Sequence, residues 1–299
     1  MSDAKKANRF RGNCFYMSER DTDILQFLWQ WKIASSASIH EVVVKPGSGY
    51  SAYKALERLA KHDLIEATTS KQHRFTAWHL TDLGFNAIRE SLGELTEEGY
   101  LSENWWHDRN VLAFHLGEWS NYKFSNVQFF TEQELRRRSV EYYPPWVPQI
   151  NDHRSDGYTL IESDRKQWVL AYEIELTAKS VARYESIIRF YKMIKNVHRV
   201  CWLVGNTQVK DNILTARTCS KDDSQNYHLF VDLNDYLKLG WDATITNDRS
   251  ENLYTIRENM RGLLGDPYGK YIGNIQGPSM YTAHYDPNKV LGKSRPSRT

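Results

Sequence analysis

Apolar positions along this chain change period several times, and each change predicts an element. In SERDTDILQFLWQWK a serine stands at a capping position, and Ile24, Leu25, Leu28 and Trp31 recur with helical spacing behind it. SIHEVVV predicts a second, short helix, and KPGSG a connection. YSAYKALERLAKH predicts a third helix with Tyr53, Leu56 and Leu59 on its apolar stripe and Ser51, Lys54, Arg58 and Lys61 outward. LIEATTSKQHRFTAWHLTDLGFNAI then reads as strand, basic turn, strand and short helix. After the charged connector SLGELTEEGYLSEN, the pattern predicts a helix in WWHDRNVLAFHLGEWSN and a strand in KFSNVQFF. TEQELRRRS opens a helix with Thr131 as cap and Glu134 at its third position, a capping box, and PPWVP is a stiff extended connection.

The second half begins with DGYTLIESDRKQWVLAYEIELTAK, which predicts strands over Tyr158 to Ile161 and Trp168 to Leu176 joined by a polar reversal. A helix over Val181 to Ile194 follows, with Tyr184, Ile187, Ile188, Tyr191 and Ile194 on its apolar side. HRVCWLV and YHLFVDL read as strands separated by the helical VKDNILTARTC, and NDYLKLGWD follows. This order predicts an α/β (α+β) class with helices covering a mixed sheet. Beyond Ser250 the periodicity decays. ENLYTIRENMRGLL adds one helix, and 265–299 reads as a flexible tail rich in Gly, Pro, Asn and Ser.

With 299 residues the chain is long enough for two domains, and 40% apolar and 13% aromatic residues point to folded protein over most of it. The expected divisions are a basic irregular arm (1–17), a first domain (18–95), a second (104–250) and the tail (265–299). A net charge of +2 neither demands nor excludes nucleic acid, because local patches matter more than the sum. Cys14, Cys201 and Cys219 are odd in number and widely spaced, which argues against a disulfide framework or thiolate metal cluster and for a reducing, cytoplasmic setting. The first residues lack the apolar core of a signal peptide, and no segment is apolar enough for a membrane span.

Strand alternation concentrates the candidate chemistry. Leu170, Tyr172, Ile174 and Leu176 share one face, so Ala171, Glu173 and Glu175 share the other, with Asp156 just before the hairpin and Lys179 just after it. Carboxylates gathered on an apolar strand repel one another unless positive charge lies between them, and a divalent cation such as Mg2+ or Mn2+ suits oxygen ligands. The sequence therefore nominates Asp156, Glu173 and Glu175 as metal ligands and Lys179 as their basic companion. The alternative places both glutamates on the solvent face of an edge strand. Glu132 is a possible additional acidic residue, and Arg136, Arg137, Arg138 and Arg183 are candidate phosphate contacts. His107 and His115 are too far apart for one helical turn and make no metal pair, and the adjacent Tyr142 and Tyr143 are better suited to packing than to covalent catalysis.

Three helices followed by a two-stranded wing resemble a winged helix-turn-helix. There the third helix would offer Lys54, Arg58 and Lys61 to the major groove of double-stranded DNA, and Lys71, His73 and Arg74 of the wing would reach phosphates. Asp156-Gly157, Glu173-Ile174-Glu175, Thr177-Ala178-Lys179-Ser180 and Arg183-Tyr184 together resemble the replication-relaxation family of mobile-element proteins, and within it plasmid relaxases with a restriction-endonuclease-like (PD-(D/E)XK) mixed-sheet domain. The resemblance covers roughly Ser18 to Leu233. It implies a conjugative or mobilisation relaxase, a metal-dependent nickase acting at a specific plasmid transfer origin and handling single-stranded DNA. It further implies an accessory relaxosome protein and a membrane-bound coupling ATPase as partners. Restriction-like nucleases usually place lysine where Glu175 stands, so the basic role passes to Lys179. The competing expectations are a noncatalytic plasmid replication initiator or DNA-binding regulator, and a double-strand restriction or repair nuclease.

Overall fold

A computed structural model describes residues 8–10, 13–44, 49–70, 75–117, 126–150, 152–163, 166–222, 224, 227–247, 249 and 251–264. Two compact units divide the chain between Arg109 and Asn110. Each combines helices with β-structure, and the larger sheet has seven strands.

In the first unit, β1 (Asn8–Phe10) pairs antiparallel with β2 (Asn13–Phe15), so part of the arm expected to be irregular is a short ribbon. α1 (Glu19–Trp31) starts at a capping box in which Ser18 and Asp21 satisfy each other's backbone groups, and it buries Ile24, Leu25, Leu28 and Trp31. α2 (Ser36–Ile39) runs into a π-helical turn over His40–Val44, and α3 (Gly49–Lys61) buries Ala52, Ala55, Leu56 and Leu59. β3 (Ile65–Ser70) and β4 (Phe75–Leu80) pair in register from Ile65↔Leu80 to Ser70↔Phe75. Ala34 adds a single bridge to Trp78, whose indole N–H donates to Ser36 Oγ at 2.8 Å. α4 (Asp82–Ile88) is capped by Thr81. Gly84 lies so close to the backbone just before β3 that a Cβ would sit 1.8 Å from Leu64 O, which explains a glycine inside a helix.

α5 (Trp105–Leu116) passes through the dividing point, and its second half is buried all round, so it lacks an amphipathic stripe. The seven-stranded sheet of the second unit has the order β11-β10-β9-β8-β7-β6-β5. β5 (Val127–Thr131), β6 (Gly157–Ser163) and β7 (Lys166–Glu175) pair antiparallel, while β8 (Arg199–Val204) and β9 (His228–Asp232) continue parallel to β7. The parallel pairings follow from helical crossovers: α7 (Val181–Met193) joins β7 to β8, and α8 (Thr207–Cys219) joins β8 to β9. Tyr184, Ile187, Ile188 and Tyr191 of α7 and Val209, Ile213 and Ala216 of α8 form one core with Val169, Ala171, Val200, Trp202 and Phe230. On the opposite face Tyr172 meets Phe114 edge-on at 5.6 Å and His115 at 4.4 Å.

The Thr131–Glu134 capping box forms and starts α6 (Glu132–Arg137). After α9 (Leu233–Leu239) the sheet continues through β10 (Thr244–Thr246) and β11 (Asn252–Thr255), which leads into α10 (Ile256–Leu264). β11 and α10 extend the second unit beyond 250, where the sequence pattern decays, and β10 and β11 carry little strand signal. They are three and four residues long, too short to display an alternation, and a register shift interrupts their pairing. The expected tail lies outside the described residues. Among those described, no helix is long and apolar enough to cross a membrane.

Candidate functional site

β7 lies between β6 and β8, so the edge-strand alternative for its glutamates is excluded. Glu173 and Glu175 are each only 3% exposed and point toward the face covered by α7. Gly157 pairs with Tyr172, and the Asp156 amide donates to Tyr172 O at 3.0 Å, which brings Asp156 to the same end of the sheet. Asp156 Oδ2 accepts from the Ile174 amide at 2.6 Å. Thr131 pairs with Gly157, and Glu132 opens α6 directly after that last pair of the ladder.

Each carboxylate has protein donors. Glu173 Oε1 accepts from Tyr191 Oη and from His153 Nε2, the latter at 2.7 Å. Glu175 Oε1 accepts from Lys179 Nζ at 2.6 Å and its Oε2 from Tyr184 Oη at 3.3 Å. Lys179 remains half in solvent, while its carbonyl is held by Asn212 at 2.8 Å and its amide donates to Tyr184 Oη at 3.3 Å. Ser180 then caps α7.

The electrostatics express this crowding. Burial pushes the Glu175 carboxyl up to about 7; the charges of Glu173 and Asp156 add to the rise, and Lys179 opposes it. Burial alone would lower the His153 pKa, yet the charge and hydrogen bond of Glu173, with the charge of Asp156, outweigh it and leave His153 raised. Protonation of the ring turns the 2.7 Å contact with Glu173 into an ion pair.

His153, Tyr184 and Tyr191 escape the sequence reading. The two tyrosines are legible there only as apolar-face residues, although a buried tyrosine hydroxyl requires a partner and seven-residue spacing puts both on one side of α7. His153 carried no local signal. Replacing it with alanine is expected to cost about 1.5–3 kcal/mol, the scale of a hydrogen bond to a charged group, measurable by urea unfolding.

Other nominated residues are dispersed. Arg183 is exposed on the first turn of α7, and its charge acts on His153. Arg136 is half-buried, and Arg137 is buried, which is unsuited to the surface phosphate contact expected of it; it lies on the inner side of a six-residue helix. Tyr143 is buried against Phe130 and donates to Leu135 O at 2.5 Å, a packing role. His107 lies 3.5 Å from Asp108, and His115 is fully buried beneath Gly157.

In the first unit Lys54 is exposed and pairs with Glu57 at 3.0 Å, Lys61 is exposed, and Arg58 pairs with buried Asp21. Lys71, His73 and Arg74 lie outside the described residues.

Among the described residues no group of three or more His, Cys, Asp or Glu side chains is arranged to hold an ion. Both Glu175 oxygens are engaged by protein donors. Glu173 Oε2 accepts no hydrogen bond from the described residues, and with Asp156 it offers two carboxylates. Mg2+ commonly takes one or two carboxylates and completes its shell with water and substrate phosphate, so this pair fits such a cation in donor type and charge. No known protein-family model matches the chain, and no curated protein matches it significantly.

Proposed function

We propose that the chain is a metal-dependent, site-specific DNA nickase, a plasmid relaxase in which the first unit binds duplex DNA and the second cuts it. The observation that carries this reading is the pair of buried glutamates at the end of an interior strand, accompanied by Asp156 and Lys179. Burying acidic groups together is costly, and such a cost is characteristic of functional sites. The order α1, α2, α3, β3, β4 supports a winged helix-turn-helix reading. Three antiparallel strands followed by two parallel ones support a restriction-endonuclease-like reading.

In this proposal Asp156 and Glu173 hold Mg2+ or Mn2+. When bound, the cation polarises the phosphodiester and acidifies a water. Tyr191 and His153 orient Glu173; Tyr184 orients Glu175. Lys179 neutralises Glu175 and, being half exposed, presents positive charge toward an incoming phosphate. Glu175, once ionised, is positioned to accept a proton. The transfer origin, the accessory relaxosome protein and the coupling ATPase belong to this proposal through the family resemblance, and the cytoplasmic setting through the odd, widely spaced cysteines.

The test uses supercoiled plasmid carrying the DNA that flanks the coding sequence, with Mg2+ or Mn2+. Wild type is expected to yield open circles, and Glu173→Ala to slow nicking by about 100-fold or more, the scale of losing one group that stabilises transition-state charge. Equal nicking by both proteins removes the assigned site.

One observation favours a second reading, a noncatalytic replication initiator or regulator: protein donors already engage both oxygens of Glu175 and one of Glu173. A fold can persist without its chemistry. Tight duplex binding with no cation-dependent cleavage selects that reading, whereas a linear product selects a double-strand nuclease.

A further inference from the structure

We infer that Arg58 is a pre-oriented reader of a DNA duplex and that Asp21 is the residue that positions it. The inference rests on the duplex-binding reading of the first unit. Asp21 is fully buried in the first turn of α1, and its Oδ2 accepts from the Ser18 amide at 2.8 Å and from Ser18 Oγ at 2.7 Å. The carboxylate thus has one orientation, and its other oxygen, Oδ1, accepts from Arg58 Nη2 on α3. A guanidinium is a rigid planar fork, and this contact ties one of its terminal nitrogens to a fixed acceptor. The Arg58 side chain nevertheless stays 44% exposed. The contact restricts its rotamers at folding rather than at binding, which favours specific recognition.

Lys54, one helical turn earlier, is built differently. Its ammonium sits 5.4 Å from the Tyr50 ring centroid and pairs with Glu57 across an exposed surface, an attachment of little energetic worth. Together with Arg20, Tyr50 and Ser51, both side chains line an open cleft of about 910 Å³ between the start of α1 and α3. The acids there are Glu19, which also lines the cleft, and Asp21 and Glu57, already paired with Arg58 and Lys54. Cations and acids balance, so the cleft is no simple basic patch. What Arg58 supplies is directed donors, the requirement for bidentate contact with a guanine edge.

The experiment uses the full chain. A pool of random-sequence duplexes is enriched on wild type without divalent ion, and affinities are then compared for the enriched duplex and a scrambled one across a salt series. Arg58→Lys keeps the charge and loses the fork. It is expected to weaken the enriched duplex by about 10-fold or more while leaving the scrambled duplex and the salt slope nearly unchanged. Asp21→Asn, which keeps an acceptor without its charge, is expected to give a smaller loss in the same direction. Thermal unfolding of each variant shows that the fold survives, and Arg58→Gln, which retains a donor for Asp21, replaces Arg58→Lys if it does not. Equal loss on both duplexes, or no loss, overturns the proposal and leaves Arg58 a phosphate contact or a structural strut. If wild type enriches and binds no duplex, the duplex-binding reading falls and the proposal with it.

Discussion

Glu175→Gln is expected to make the protein more stable at pH 8 by up to about 3 kcal/mol and, at the same time, to abolish nicking. The folded carboxyl titrates near 7 rather than near its ordinary 4.5, chiefly because it is buried, with Glu173 and Asp156 adding to the rise. A carboxyl raised on folding holds more protons in the folded state between these two values. Stability therefore falls as pH rises through that window, and the cost is complete above about 7. Glutamine cannot ionise, yet its side-chain oxygen still accepts from Tyr184. The upper bound applies if Lys179, already half exposed, turns into water without penalty. Urea unfolding at pH 8 and pH 4.5 checks the sign: the gain should be present at the higher pH and absent at the lower. A variant equally stable at both would mean that the carboxylate is fully compensated.

Gly157→Ala should destabilise the second unit by about 2–4 kcal/mol, through overpacking added to backbone strain. Gly157 has φ 148°, a region L side chains rarely adopt, and a Cβ there would lie 2.5 Å from His115 Cε1 and 3.1 Å from Phe130 O. His115 has little room to retreat, being fully buried with its ring against Tyr172 and Phe129. Because Asp156 directly precedes this glycine, loss of nicking should accompany loss of stability. Gly262→Ala provides the control: a Cβ there meets nothing within 4 Å inside α10, and the exchange is expected to be neutral or to stabilise by about 0.5–1 kcal/mol. Denaturant midpoints of the two variants test the contrast. Similar midpoints would show that the His115 contact yields more readily than its burial implies.

Local sequence determined much of this protein. Period-two alternation put Glu173 and Glu175 on one face of a strand, and the Thr131–Glu134 pair announced the start of a helix, because both signals are complete within a few residues. The succession of helices and strands was legible for the same reason wherever an element was long enough to show its period. β10 and β11 were not, being only three and four residues long.

Tertiary structure decided which side chains meet. His153 reaches Glu173 across 20 positions, and Arg58 reaches Asp21 across 37, through chain docking that no local spacing encodes. A lysine and an arginine one helical turn apart looked equivalent in the sequence. Only docking of α3 on α1 made one a loosely paired surface cation and the other a braced fork. Burial of Arg137 and the interior position of β7 likewise depend on which face of each element finds a partner. Periodicity tells a side chain which face it occupies; strand register and helix packing tell it what that face touches.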